Sequence, residues 1–344
     1  MKNKKLLLII LIFLVVILFL TSLFVGSSNM TFLDAINGLF NRGPDNYILI
    51  MRKVRLPRAI GALVVGGSLG IAGVIMQTML SNDMASPSTL GVSNAATFGA
   101  NLSIIVIAQG FLDTGNNLDN YFLGNNIYAT SFIAFIFALA STLIILSLCK
   151  SQNYKKETVI LSGIAIGAIW SALTSLLQFY ATDVSLSAAI IWSFGDISRT
   201  NYNIDLLIAI ITLISFIFFM IKRNEYNAIL LGDDIAKSSG VKVDALRFIS
   251  LLLSSLITAL VVANLGIIGF VGLISPHISK ILFTQNHKFS IPGSLLIGSI
   301  LLLVSDILSR IIGSGSQIPV GIITSIIGAP FFLYLIFRKR RVYS

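Results

Sequence analysis

Apolar residues run in long stretches along this chain, and polar residues gather in the short gaps between them. Stretches of about 20 apolar residues, the length that crosses a hydrocarbon core, fall near 6–25, 59–80, 90–109, 127–148, 158–180, 204–221, 247–265, 267–284, 291–312 and 319–337. The pattern predicts an all-α polytopic membrane protein with about ten transmembrane helices. The first run follows Met1 to Lys5 and has the outline of a signal peptide. Its apolar stretch exceeds the usual ~7–15 residues and no small-residue cleavage site follows, so it is expected to stay as the first helix. The longest gaps are 26–54, 110–126, 181–203 and 222–246, which leaves one membrane domain over 1–344 and no soluble domain.

Composition agrees with this reading, since 56% of the residues are hydrophobic and 11% charged, whereas soluble chains carry roughly 25% charge. Lys and Arg collect on cytoplasmic flanks. Both termini, Lys150 to Lys156, Lys222 to Arg247, Lys280 and Lys288 are therefore expected inside a plasma membrane, which accounts for 17 of the 24 basic residues. Five of the rest, Arg42, Arg52, Lys53, Arg55 and Arg58, crowd one external loop and its edge against that trend. The net charge of +10 is mostly this topology signal, and it argues little for nucleic acid because no soluble basic face exists to bind it.

Several chemistries have no support. The nearest approach to a phosphate-binding loop, Gly232-Asp-Asp-Ile-Ala-Lys237-Ser238, lacks the second glycine and puts two carboxylates where phosphate would sit. The chain is not expected to bind ATP, to be an enzyme or to hold a cofactor. Among the carboxylates only Asp306 falls well within a predicted span, which disfavours a proton-coupled carrier. His277, His287 and the lone Cys149 do not make a metal-ligand set.

What remains is a group of polar, glycine and proline positions inside apolar runs, costly in lipid unless buried against other helices or lining a cavity. Gln77, Asn82 and Pro87 form one set, and Gly269, Gly272, Pro276 and His277 the other; both are candidates for a translocation pathway, with packing or a satisfied interior histidine as the plainer account. Gly66, Gly67, Gly70 and Gly73 suit close helix approach. Arg55 and Arg58 share a face at the outer mouth of helix two, and Arg310 stands four residues after Asp306 and could pair with it; snorkelling to headgroups is the plainer reading. Asp233 and Asp234 followed by Gly240 are helix start and stop signals. They predict a cytoplasmic helix over 233–239, too short to stand alone, or else an ordinary loop with a helical turn.

From about Arg55 to the C-terminus these motifs resemble the permeases of type II ABC importers for iron–siderophore complexes, haem and cobalamin. The carriers are Arg55-Leu-Pro-Arg58, Asn82 to Gly91, Leu231-Gly232 with Ala236 and Gly240-Val241, Gly269 to His277, and Pro319-Val-Gly321 with Gly328-Ala-Pro330-Phe331. The resemblance implies a permease paired with a second, identical or homologous one, two ATPase subunits carrying ATP and Mg, and an extracytoplasmic substrate-binding protein. It implies that Arg55, Arg58 and Arg310 receive carboxylates of the binding protein, and that 222–246 carries the ATPase-docking helix, with Leu231, Gly232, Asp233, Asp234, Ala236, Gly240 and Val241 in the coupling segment. Ser86-Pro87 and Ser275-Pro276 fall in segments that the topology runs in opposite directions, so 56–180 and 247–337 could be inverted repeats, and the resemblance agrees. Two departures stand out, Ser239 where the family has leucine and Asp83-Met84 where it has Pro-Leu. Iron–siderophore import is the first choice of function; haem or cobalamin import, an ion-coupled carrier and a membrane scaffold are the alternatives.

Overall fold

The computed structural model describes residues 2–26, 30–86, 90–108, 127–150, 152, 154–312 and 317–340. Pro87 and the gap 110–126 lie outside them. In chain order the described residues form α1 (Lys2–Phe24), α2 (Phe32–Leu39), α3 (Asp45–Leu49), α4 (Leu56–Met79), α5 (Val92–Asn101), α6 (Ile127–Lys150), α7 (Lys156–Phe179), α8 (Asp183–Ser193), α9 (Tyr202–Ile221), α10 (Arg223–Ile229), α11 (Asp233–Ser238), α12 (Val243–Leu265), α13 (Val271–Phe283), α14 (His287–Ile312) and α15 (Val320–Arg340). Every apolar run expected to span contains helix among the described residues. Among the described residues seven helices are long and apolar enough to cross a membrane, and shorter apolar helices cover Val92–Ile107, Asp183–Ser193, Val271–Phe283 and Val320–Tyr334. The run at 267–284 is the clearest correction. Only Val271–Phe283 is helical there, about 20 Å at 1.5 Å per residue, because Gly266 and Phe270 both take positive φ and break the chain before it.

The gaps hold more helix than expected. Thr31 and Asp34 cap α2 reciprocally, the side chain of each accepting the other's backbone N–H. α3 continues through a π turn, Ile50–Arg55, into α4, giving a helical run of 35 residues from Asp45 to Met79. The wider turn comes just before Pro57, whose ring cannot continue a regular α ladder.

Proximity along the backbone groups the chain into two compact units. The first, residues 1–74, 196–220 and 268–344, holds α1 to α3, most of α4, α9 and α13 to α15. There α13 packs on α14 and α15, and α1 on α14. A Cβ at Gly66, Gly70 or Gly73 would run into the backbone of Gly298, Ser294 or Gly272, so α4 meets its neighbours backbone to backbone, as small-residue stripes allow. Ser299 Oγ donates to the Leu63 carbonyl at 2.7 Å across the same seam.

The second unit, residues 75–195 and 221–267, holds the end of α4, α5 to α8 and α10 to α12. Here α5 packs against α6, α7 and α12. Phe98, Phe137 and Trp170 form an aromatic cluster with centroids 5.1 to 5.6 Å apart. Asn94 donates to the Gly167 carbonyl at 3.0 Å, and Gln178 to Asn101 at 3.0 Å. These amides tie α5 to α7.

Candidate functional site

At the expected outer mouth, Arg55, Arg58 and Arg310 do come together. With Gly26, Ile50, Val54 and Gln317 they line one cavity of about 190 Å³. The face that Arg55 and Arg58 share is not open to solvent, since the relative exposures of Arg55, Arg58 and Arg310 are only 5%, 2% and 9%. Asp306, fully buried, is the reason. Its Oδ1 accepts from Arg58 Nε at 2.5 Å and its Oδ2 from Arg310 Nη2 at 2.6 Å. The expected i, i+4 pair is therefore present, and Arg58, 248 positions away, shares it. Arg58 also bonds Ser309 and Gln317.

The other guanidinium hydrogens point at the C-terminus of α1. Arg310 Nη1 donates to the carbonyls of Ser22 and Val25 at 2.8 and 2.7 Å, and Arg55 Nη1 to those of Leu23 and Phe24 at 2.9 and 3.1 Å. The last carbonyls of a helix have no partner within it and carry partial negative charge that favours a cation. Two arginines thus cap four consecutive carbonyls. Arg55, Arg58 and Arg310 thus have partners within the chain, while Arg42, Arg52 and Lys53 are exposed.

On the side that the charge rule places inside, α10 and α11 fill the gap 222–246. α11 begins at Asp233 as the start signal predicts and ends with Gly240 at φ 84°, whose N–H reaches the Lys237 carbonyl. Val241 N–H closes on the Ala236 carbonyl at 3.0 Å. Gly232, at φ 120°, turns the chain into the helix. Leu231 and Ile235 are 68% and 51% exposed, whereas Ala236 is fully buried. Ala236 is thus the anchor of this segment and not part of an outer face. Asp234 is exposed.

Two interactions that sequence reasoning missed hold this loop. Tyr226 in α10 is buried and shares a 2.9 Å hydrogen bond with the Ser250 hydroxyl, and burial raises its phenol pKa. Arg247 in α12, 1% exposed, donates to both oxygens of Asp233 at 2.8 and 2.9 Å, and its Nε donates to the Met79 carbonyl at 2.9 Å. The only earlier signal was a cation at the edge of an apolar run.

The expected pathway residues divide between the two units. In the second, Gln77 is 2% exposed and its carbonyl receives the Asn82 N–H. Asn82 Oδ1 accepts from Met84 N at 2.9 Å, the geometry of a side-chain-mimicked turn, so its amide shapes the bend after α4. In the first unit Gly272 packs against Gly73 and Pro276 is buried inside α13, while Gly269 and His277 are half-buried. Another buried carboxylate went unforeseen: Asp205 in α9 is 2% exposed, accepts from Thr200 at 2.5 Å, and its Oδ2 has no hydrogen-bond partner among the described residues.

Comparison with known proteins gives this geometry a context. The family model described as the FecCD transport family matches residues 14–338. A protein of Methanocaldococcus jannaschii described as an ABC transporter permease is 41% identical over 93% of this chain and 92% of its own length. The hemin transport system permease protein HmuU of Yersinia pestis is 33% identical over 94% of each chain. A solved structure described as an inward-facing conformation of a metal-chelate type ABC transporter superposes with a TM-score of 0.80 at 28% identity, covering 97% of this chain and 99% of that one.

Proposed function

The chain belongs to the FecCD transport family, and from that premise we propose that it is the membrane-spanning permease subunit of an ATP-driven importer of metal chelates. Iron–siderophore complexes are the first choice of cargo, with haem and cobalamin as alternatives. The working unit pairs this chain with a second permease, two ATPase subunits that carry ATP and Mg, and an extracytoplasmic binding protein. The permease itself does no covalent chemistry and alternates the access of a pathway between the two sides of the plasma membrane. Gln77, Asn82, Pro87, Gly269, Gly272, Pro276 and His277 are its proposed pathway elements.

The observation that carries this reading is α11. α11 presents Ile235, and the turn just before it Leu231, to solvent outside every helix long enough to span, while buried Ala236 and the Asp233–Arg247 pair hold the segment in place. Exposed apolar side chains on a rigidly mounted short helix are suited to a partner's cleft. Leu231→Arg and Ile235→Arg are expected to leave the permease folded and abolish copurification of the ATPase. Full copurification and normal uptake in both variants would remove the docking role. Cargo follows from uptake into proteoliposomes of the complete transporter, comparing a ferric siderophore, haem and cobalamin.

The arginine cavity suits an inserted acidic side chain of the binding protein better than a surface-to-surface contact, because the three guanidinium groups lie below the surface. Truncating one partner of a desolvated charge pair costs about 2–5 kcal/mol. Arg55→Gln keeps an N–H donor for the α1 carbonyls and should still weaken binding-protein affinity by more than about tenfold. Unchanged affinity would leave the cavity a purely structural feature.

A further inference from the structure

Arg247 gathers three separate pieces of the chain on one guanidinium. Nη2 holds both carboxylate oxygens of Asp233, the first residue of α11. Nε holds the carbonyl of Met79, the last residue of α4. Nη1 reaches the carbonyl of Tyr154 at 3.4 Å. Tyr154 lies between α6 and α7 at φ 51°, and its ring packs 5.7 Å from that of Phe248, the neighbour of Arg247 in sequence. The guanidinium is planar, with five donors in a fixed fork, so the relative positions of these acceptors are set together. Lysine, with a compact head on a flexible stem, cannot span them at once.

An arginine with 1% exposure is not needed for solubility, and replacing a buried ion pair by apolar packing is often neutral or stabilising. What the pair supplies here is geometry. Asp233 is 38% exposed at its side chain, so the attraction is partly screened, but the directed hydrogen bond to the Met79 carbonyl is buried with Arg247 and the one to the Tyr154 carbonyl is part-buried.

We propose that Arg247 is a positioning residue that makes α11, the inner end of α4 and the α6–α7 connection move as one body, so that displacement of the docking helix reaches the spanning helices. This rests on the reading of α11 as the ATPase-docking element. It touches neither cargo nor nucleotide and acts only through the segments it joins.

The test uses the complete transporter, permease with ATPase and binding protein, in proteoliposomes, reading assembly, ATP hydrolysis and cargo moved per ATP. Arg247→Gln is expected to assemble and hydrolyse ATP while cargo moved per ATP falls about tenfold, a coupling loss within the usual range. Arg247→Lys should fall between that and the wild type, Asp233→Asn should reproduce part of the loss, and Asp233→Glu should restore it. Arg247→Gln with Asp233→Asn should do no worse than Arg247→Gln alone. An unchanged ratio in Arg247→Gln, or hydrolysis and uptake falling in parallel with the amount of assembled complex, overturns the proposal. If none of the Arg247 and Asp233 variants assembles, Arg247 serves folding only and the proposal is also wrong. Leu231→Arg and Ile235→Arg separate the two levels: if both retain the ATPase with normal uptake, the docking reading fails; if they lose the ATPase while Arg247→Gln couples normally, only the present inference fails.

Discussion

Asp306 takes a guanidinium on each carboxylate oxygen, from Arg58 and Arg310, with side-chain exposures of 0%, 3% and 5%. Removing one member of a buried ionic cluster strands the others without counter-charge, at about 3–5 kcal/mol. Asp306→Ala is therefore expected to lower the thermal unfolding temperature of the detergent-purified permease sharply. Exposed Arg52→Ala, which loses one bond to Asn41, should change stability by no more than about 0.5 kcal/mol. Gly73→Ala tests the helix seam: its Cβ would meet the backbone of Gly272, which cannot swing aside, and overpacking of this kind costs about 1–3 kcal/mol. At this scale the sequence was readable where partners are near neighbours. Arg310 follows Asp306 by one helical turn and could be paired on sight. Arg58 with Asp306, or Arg247 with Met79, are 248 and 168 positions apart, and no periodicity links residues that only folding brings together.

Among the elements, α11 was legible to within a residue because its acidic first turn and terminal glycine are local signals. Its orientation was not. Which side of a six-residue helix faces inward depends on what lies beneath it, and the structure buries Ala236 and exposes Ile235. Ala236→Arg should consequently abolish folded permease, seen as loss of a monodisperse peak on size exclusion, while Ile235→Arg gives a normal peak without its ATPase. The helices α2 and α8 were hidden in stretches read as loops, each being too short for a span and recognisable mainly by its cap, Thr31 or Thr182. The break before α13 was visible in the glycines, but the loss of length at that run was not, since apolar residues fill it whether or not they are helical.

For the whole molecule, the orientation proposed from Lys and Arg predicts an outcome in intact cells. In a Cys149→Ser background, Asp183→Cys is expected to react with an impermeant thiol reagent and Lys237→Cys to be protected; labelling at both, or the reverse, refutes the map. The two compact units cut across the proposed repeats in a matched way. The first unit takes the opening helix of 56–180 and the last three of 247–337, and the second takes the converse set. Neither unit is a continuous piece of chain, and this bears on how the protein is made. The α1 carbonyls of Ser22 and Val25 wait for Arg310, which leaves the ribosome about 15–60 s after them at ordinary synthesis rates. During that interval Arg55 can hold only the Leu23 and Phe24 carbonyls and the first helix sits in the bilayer with half of its cap missing, so nascent chains interrupted before Arg310 should be the ones that membrane quality-control proteases clear fastest.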